Sequence, residues 1–174
     1  MNTGWEEEFR SIYQRGVSAW KEGRRTAATM FQKPEVAFLA GLGCTAQELF
    51  DFVDDAQRYG EPDFTTALAI AEIRRDYFLK VLDGKWTGQT VRMADLPAKT
   101  AEVDGIAWLP RLIEKARAKL RGEMPDDLMY CCGGDRAFLE RVHLTAPEFL
   151  KLTWESGADD RTIIEAVKKA AGHK

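Results

Sequence analysis

Two stretches that begin one hundred residues apart align with each other without a gap. Residues 34–52 read PEVAFLAGLGCTAQELFDF, and residues 134–152 read GDRAFLERVHLTAPEFLKL. Both contain an apolar Phe-Leu pair and a Thr-x-x-Glu capping box, in which threonine begins a helix and glutamate bonds back to it. Such a repeat restricts the chain to folds in which one structural unit occurs twice, so we predict an internal duplication. Convergence is the alternative, since any helix-turn-helix needs this pair and this cap.

Apolar residues recur with a helical period through most of the chain. No segment alternates apolar and polar residues for long enough to predict a strand, and the period disappears after residue 84 for about twenty residues, a long connection for a compact domain. We therefore predict an all-α protein with two similar helical units, residues 1–83 and 105–174. The irregular connector, residues 84–104, would join units that pack face to face about a pseudo-twofold axis.

The composition excludes several classes of protein. Hydrophobic residues make up 45% and charged residues 30%, with a net charge of -3, which is typical of a soluble globular protein. Because no basic excess is present, we expect no binding to nucleic acid. The N-terminus is acidic, and no stretch approaches the roughly 18 apolar residues needed to cross a bilayer. We expect a cytoplasmic protein without a membrane span.

Potential metal ligands are few. The chain has three cysteines and two histidines, namely Cys44, Cys131, Cys132, His143 and His173. An odd cysteine count without a signal peptide does not predict a disulfide framework. Because no Cys-x-x-Cys or His-x-x-x-His spacing occurs, we expect no structural zinc and no other metal or cofactor. We expect His143 to cap the end of a helix and His173 to lie at a frayed terminus.

A basic face is predicted on the helix within residues 105–122. Arg111, Lys115 and Lys119 are spaced at i, i+4 and i+8, so they lie on one side of the helix. A solvated surface is one interpretation of such a charge run. The other interpretation is a docking surface for a phosphate, a carboxylate or an acidic partner, with Arg111 as the best bidentate donor.

The stretch YCCGGD, residues 130–135, has no counterpart in the first half. Cys132 directly precedes a predicted helix, whose free N–H groups stabilise a thiolate, and the Gly-Gly step would let an anion approach them. This pattern makes Cys132 the candidate nucleophile. The alternative is that Cys131 and Cys132 are small buried side chains and Gly-Gly is a turn, because cysteine is among the most buried residue types.

The second half also carries the run LPRLIEKAR, followed by Tyr130, Cys132, Asp135, Phe138 and Leu139. On these residues, the chain from about 95 to 170 resembles a family of small uncharacterised bacterial proteins described only as a domain of unknown function. The chain has Gly133 where the family usually has proline, and the family's basic proline-rich lead-in is reduced here to DLPAKT. The resemblance implies a fold and a candidate surface, and no particular reaction.

Two functions are open. The one we favour is a non-enzymatic interaction module that binds a protein partner through the basic helix and the long loop. The other is a protein that binds a small molecule or anion, or a thiol-based enzyme, with its site between the two halves. In that case Cys132 would be catalytic, and the ligand-binding side chains would be Arg111, Lys115, Tyr130 and Asp135.

Overall fold

Helices provide nearly all of the regular structure in the part of the chain that this computed structural model describes, residues 4–172. The predicted all-α class is confirmed at this level. His173, predicted to lie at a frayed terminus, is outside the described residues. The chain divides into two compact units, Met1–Lys85 and Trp86–Lys174.

The first unit is built from five helices among its described residues: α1 Gly4–Lys21, α2 Ala27–Met30, α3 Lys33–Gly41, α4 Ala46–Tyr59 and α5 Phe64–Lys80. Helix α1 packs on α2, α4 and α5, and α3 packs on α4. Helices α1 and α4 each have an apolar stripe, on which Phe9, Ile12, Leu49 and Val53 are fully buried. Burial of these stripes holds the unit together.

The second unit begins with a short 3-10 turn, Met93–Asp95, and then forms the elements β1 Glu102–Val103, β2 Ile106–Ala107, α6 Leu109–Arg121, α7 Gly133–Arg141, α8 Ala146–Ser156 and α9 Asp160–Ala170. Helix α6 packs on β1 and α8, and α8 also packs on α7 and α9. Helix α6 has Pro110 in its first turn, and Gly122, the residue after its end, is in a left-handed conformation.

The expectation of no strand was wrong for residues 102–107. Val103 pairs with Ile106 and Glu102 with Ala107 in an antiparallel hairpin, whose turn residues Asp104 and Gly105 both have positive φ. Strands of two residues are too short to produce a visible alternation, but Asp-Gly between apolar residues is a strong hairpin signal. The Asp104 carboxylate also accepts a hydrogen bond from Arg161 on α9 at 2.9 Å.

Much of the predicted connector is bonded to the rest of the second unit. The Val91 N–H donates to the Glu123 carbonyl at 2.9 Å, and Leu96 is buried. Arg111 donates from Nη1 to the Pro97 carbonyl at 2.8 Å. These bonds explain how the connector, whose regular structure is limited to the 3-10 turn and β1, has a defined path.

The two repeated stretches have the same local structure. Helices α3 and α7 begin and end at positions one hundred residues apart, as do the starts of α4 and α8. Both predicted capping boxes are confirmed: Thr45 and Thr145 accept from the N–H groups of Glu48 and Glu148 at 3.1 and 3.3 Å. Common origin by duplication stays a prediction.

Among the described residues, no helix is by itself long and apolar enough to cross a membrane. Only α3 and α4 taken together pass by length and composition, and the chain bends by 102° between them.

Candidate functional site

The basic face predicted on α6 is buried. Arg111, Lys115 and Lys119 are only 8%, 1% and 2% exposed, so the interpretation of this face as a solvated surface is wrong. An open docking surface made by these side chains is excluded for the same reason. Because α6 packs against both β1 and α8, none of its residues is exposed. The i, i+4 spacing predicts which residues share a face of the helix, but it does not show whether that face is exposed.

Asp135 is the centre of the buried polar site. Its carboxylate is fully buried and accepts hydrogen bonds from Lys115 Nζ at 2.6 Å and Trp108 Nε1 at 2.9 Å. It also accepts from the backbone N–H groups of Cys131 at 2.9 Å and Cys132 at 3.4 Å. We call these five residues the Asp135 cluster. Four donors to one carboxylate offset the cost of removing its charge from water.

The local sequence explains how the cluster forms. Asp135 is the third residue of α7, where a carboxylate can bond back to the N–H groups that precede the helix. Lys115 projects from the middle of α6, and Trp108 caps the start of that helix with a left-handed backbone, φ 74°. The Asp135 carboxylate therefore bonds residues at the N-termini of both α6 and α7, and it also bonds a buried cation.

Gly134 is required by the packing of Trp108. A Cβ atom at residue 134 would lie 2.5 Å from Trp108 Cζ2 and 2.6 Å from Cη2. These distances are shorter than any normal carbon contact, so only glycine allows the indole to reach Asp135. At Gly133, by contrast, a Cβ would meet Arg136 Nη2 at an ordinary 3.8 Å. The sequence suggests that the Gly-Gly step lets an anion approach. In the structure, the close packing of the Trp108 indole explains the second of these glycines.

Cys132 is half-buried, as is Trp108, whereas Lys115, Cys131 and Asp135 are buried. It is the N-cap residue of α7, and Lys115 Nζ lies 3.4 Å from its Sγ. Because Lys115 also pairs with Asp135, the two charges largely cancel. Lys115 therefore offers Sγ a hydrogen-bond donor rather than a strong net positive field.

The other two cysteines are buried. Burial raises the pKa of the Cys131 thiol from 9.0 to about 12, so this thiol stays protonated at neutral pH. Cys131 also has a left-handed backbone, φ 69°, and its carbonyl accepts from Arg136 Nη1 at 2.7 Å. The interpretation of adjacent cysteines as buried side chains therefore suits Cys131 and not its neighbour Cys132.

Tyr130 and Arg111, two of the predicted ligand-binding residues, form bonds inside the unit. The buried Tyr130 hydroxyl donates to the Ala146 carbonyl at 2.8 Å. Burial, followed by the nearby Asp135 charge, raises the pKa of Tyr130 well above its ordinary value. Because Arg111 bonds the Pro97 carbonyl and Lys115 bonds Asp135, these contacts favour a structural role. A ligand-binding role for the four side chains stays a prediction.

The sequence interpretation missed Trp108, which lies one residue before the LPR run. A tryptophan that precedes a helix gives no local sign that its indole N–H will reach a carboxylate 27 residues further on. His143, at the other end of α7, is exposed and has φ 59°, so it ends the helix in the left-handed position that Gly43 takes after α3. Within residues 4–172, no three side chains of the His, Cys, Asp and Glu types are grouped so as to hold a metal.

The geometry defines the second unit as a small helical domain built around a buried Lys–Asp pair with a half-buried thiol beside it. A family described as a domain of unknown function, DUF5069, matches residues 95–174. This match confirms the predicted resemblance of the second half, and the matched segment contains the whole Asp135 cluster. No curated protein and no solved structure matches the chain.

Proposed function

We propose that the second unit is a reactive-thiol domain, in which Cys132 attacks a small electrophile or is oxidised by a peroxide. The observation that carries this proposal is the position of its Sγ, which is half-buried at the start of α7 and 3.4 Å from Lys115 Nζ. Neither Cys44 nor Cys131 combines access with such a donor. A free reactive thiol suits a reducing compartment, so we propose the cytoplasm as its location.

The surrounding groups act on the sulfur in two ways. Lys115 Nζ donates a hydrogen bond to Sγ at 3.4 Å and so orients the sulfur at the start of α7. Asp135 is a positioning residue, since it fixes Lys115 at 2.6 Å and is itself fixed by the Trp108 indole. A site held by buried hydrogen bonds keeps its donors in place before a reagent arrives.

Thiol labelling of the folded protein tests this proposal. At pH 8, iodoacetamide should label Cys132 at least about tenfold faster than Cys131 or Cys44, because those two thiols are buried and burial raises the pKa of Cys131. Peptide mapping after timed quenching measures each rate. In denaturant the three rates should converge, and Cys132→Ser should remove the fast phase. Labelling of Cys132 that begins only after unfolding would overturn the proposal.

The hypothesis of an interaction module can no longer rest on the basic face of α6, which is buried. One other observation supports it. Trp86 and Met93, in the segment before β1, are 38% and 39% exposed and are the exposed large apolar side chains among residues 86–172. We propose this segment as the contact for a protein partner in that second function. A photo-crosslinker at position 87 should trap a partner that then binds the purified chain. Trp86→Ser with Met93→Ser should abolish that binding, and unchanged affinity would exclude the segment.

A further inference from the structure

Lys115 and Cys132 place an amine and a thiol in contact inside the second unit. The two atoms Nζ and Sγ are 3.4 Å apart, and the lysine side chain is 2% exposed. We infer that the pair is an oxidative modification site, at which a peroxide converts Cys132 to a species that forms a covalent S–N bond with Lys115. This inference rests on the proposed reactivity of Cys132 and names a specific product of it.

The chemistry proceeds in two steps. In the first, Sγ attacks a peroxide oxygen, the O–O bond breaks, and the products are Cys132 sulfenic acid and water. In the second, Lys115 Nζ attacks the sulfenic sulfur, the S–N bond forms and hydroxide leaves. The ammonium gives up two protons: one goes to Asp135 Oδ2, 2.6 Å from Nζ, and one makes the leaving hydroxide water. Sulfur is oxidised, and the peroxide is reduced to two waters.

The buried carboxylate is what makes the amine available. A buried lysine beside a sulfenic acid is a poor nucleophile while it keeps its proton. Asp135 can accept that proton without any side-chain movement, because it already bonds Nζ directly. Product formation removes both charges from a fully buried pair, so no ion is left without a partner.

Two competing products would use the same sulfenic acid. One is a disulfide with Cys131, which is disfavoured because adjacent cysteines strain a disulfide and because the buried Cys131 thiol is held protonated. The other is a bond to a backbone nitrogen, a known fate of sulfenic acids. All three products lose two hydrogens, so mass alone does not separate them.

Intact mass spectrometry of the full chain with stoichiometric hydrogen peroxide gives the first measurement. The expected product is lighter by about 2 Da and returns to the starting mass with dithiothreitol. Protease digestion should then yield one peptide in which Lys115 is joined to Cys132, with no tryptic cleavage after Lys115. Because this mapping uses the unmodified sequence, it decides the question even if variants fold poorly.

Two variants separate the products. Lys115→Arg keeps a cation for Asp135 but lacks the amine, so it should lose the lighter species and accumulate the sulfenic or sulfinic acid of Cys132. Cys131→Ser should still form the lighter species. The inference is overturned if the lighter species persists in Lys115→Arg, disappears in Cys131→Ser, or yields no joined peptide. If Cys132 is alkylated quickly but never joined to Lys115, the inference alone fails; if it resists both reagents, the reactive-thiol proposal fails as well.

Discussion

The two units each contain an ion pair at the same position of the repeat. Arg15 bonds Glu35 in the first unit, and Lys115 bonds Asp135 in the second, both at 2.6 Å and one hundred residues apart. In each, the cation lies on the longer preceding helix and the anion is the third residue of a short one. The environments differ: the side chains are 50% and 12% exposed in the first pair, but 2% and 0% in the second.

Side-chain length accounts for part of this difference. Arg15 also bonds Ser11 and Glu8 on its own helix, so its guanidinium stays at the surface of the unit. Asp135 has a shorter side chain than Glu35, so its carboxylate lies close to the backbone of α7 and Lys115 bonds it in the interior. There the Trp108 indole N–H donates a further hydrogen bond to the carboxylate. The first pair therefore acts as a surface contact and the second as the core of its unit. A helix-turn-helix can have its Phe-Leu pair and its capping box without an ion pair at this position. The recurrence of the ion pair in both units therefore favours duplication over convergence.

Replacing the cation should give the largest difference in stability between the two ion pairs. Lys115→Met leaves the Asp135 charge buried without its ion-pair partner, and we expect it to lower the free energy of unfolding by about 3–5 kcal/mol. Arg15→Met removes an exposed pair and should cost at most about 1 kcal/mol. Urea unfolding of the full chain gives the size of each effect, and hydrogen exchange shows which unit opens.

A companion variant makes this comparison stricter. Lys115→Met combined with Asp135→Asn removes both charges, so it should recover part of the stability lost in the single variant. Equal losses for Arg15→Met and Lys115→Met would contradict the assigned difference between the pairs.

The sequence predicts those features that depend on neighbouring residues. Both Thr-x-x-Glu boxes are in place, because a cap is decided within four residues. The hairpin at Asp104-Gly105 was missed, although its turn signal is present in the sequence.

Burial of charged residues could not be predicted in this way. Lys115 and Lys119 are spaced like a solvated stripe, yet both are buried because other elements cover α6. The pairing of Trp108 with Asp135 crosses 27 residues and depends on a glycine that leaves room for an indole. Such contacts are set by tertiary packing, whereas the prediction of Cys132 as a candidate nucleophile depends on a local property, its position before a helix.

Glycine 134 offers a second test of the buried site, smaller than the loss of a charge. Gly134→Ala would place Cβ within 2.6 Å of two Trp108 ring atoms, so the indole must shift and weaken its bond to Asp135. We expect a loss of about 1–3 kcal/mol, which is typical of overpacking. Gly133→Ala, where the nearest atom is 3.8 Å away, is the matched control and should be within about 0.5 kcal/mol of neutral. The first unit has Pro34 at this position, so its α3 should tolerate alanine there.

The helix caps provide the smallest effect and test what the two units share. Thr45→Ala and Thr145→Ala each remove a side-chain acceptor from the first turn of α4 or α8, and each should cost about 1 kcal/mol. Because the two threonines have nearly the same backbone angles, φ -88° in both, the losses should agree within about 0.5 kcal/mol. Serine at either position keeps the acceptor and should restore most of the loss. If only one of the two substitutions lowered the free energy of unfolding, the two stretches would share a backbone shape but not the interactions that stabilise it. The ion pair of the second unit could then not be interpreted by comparison with that of the first.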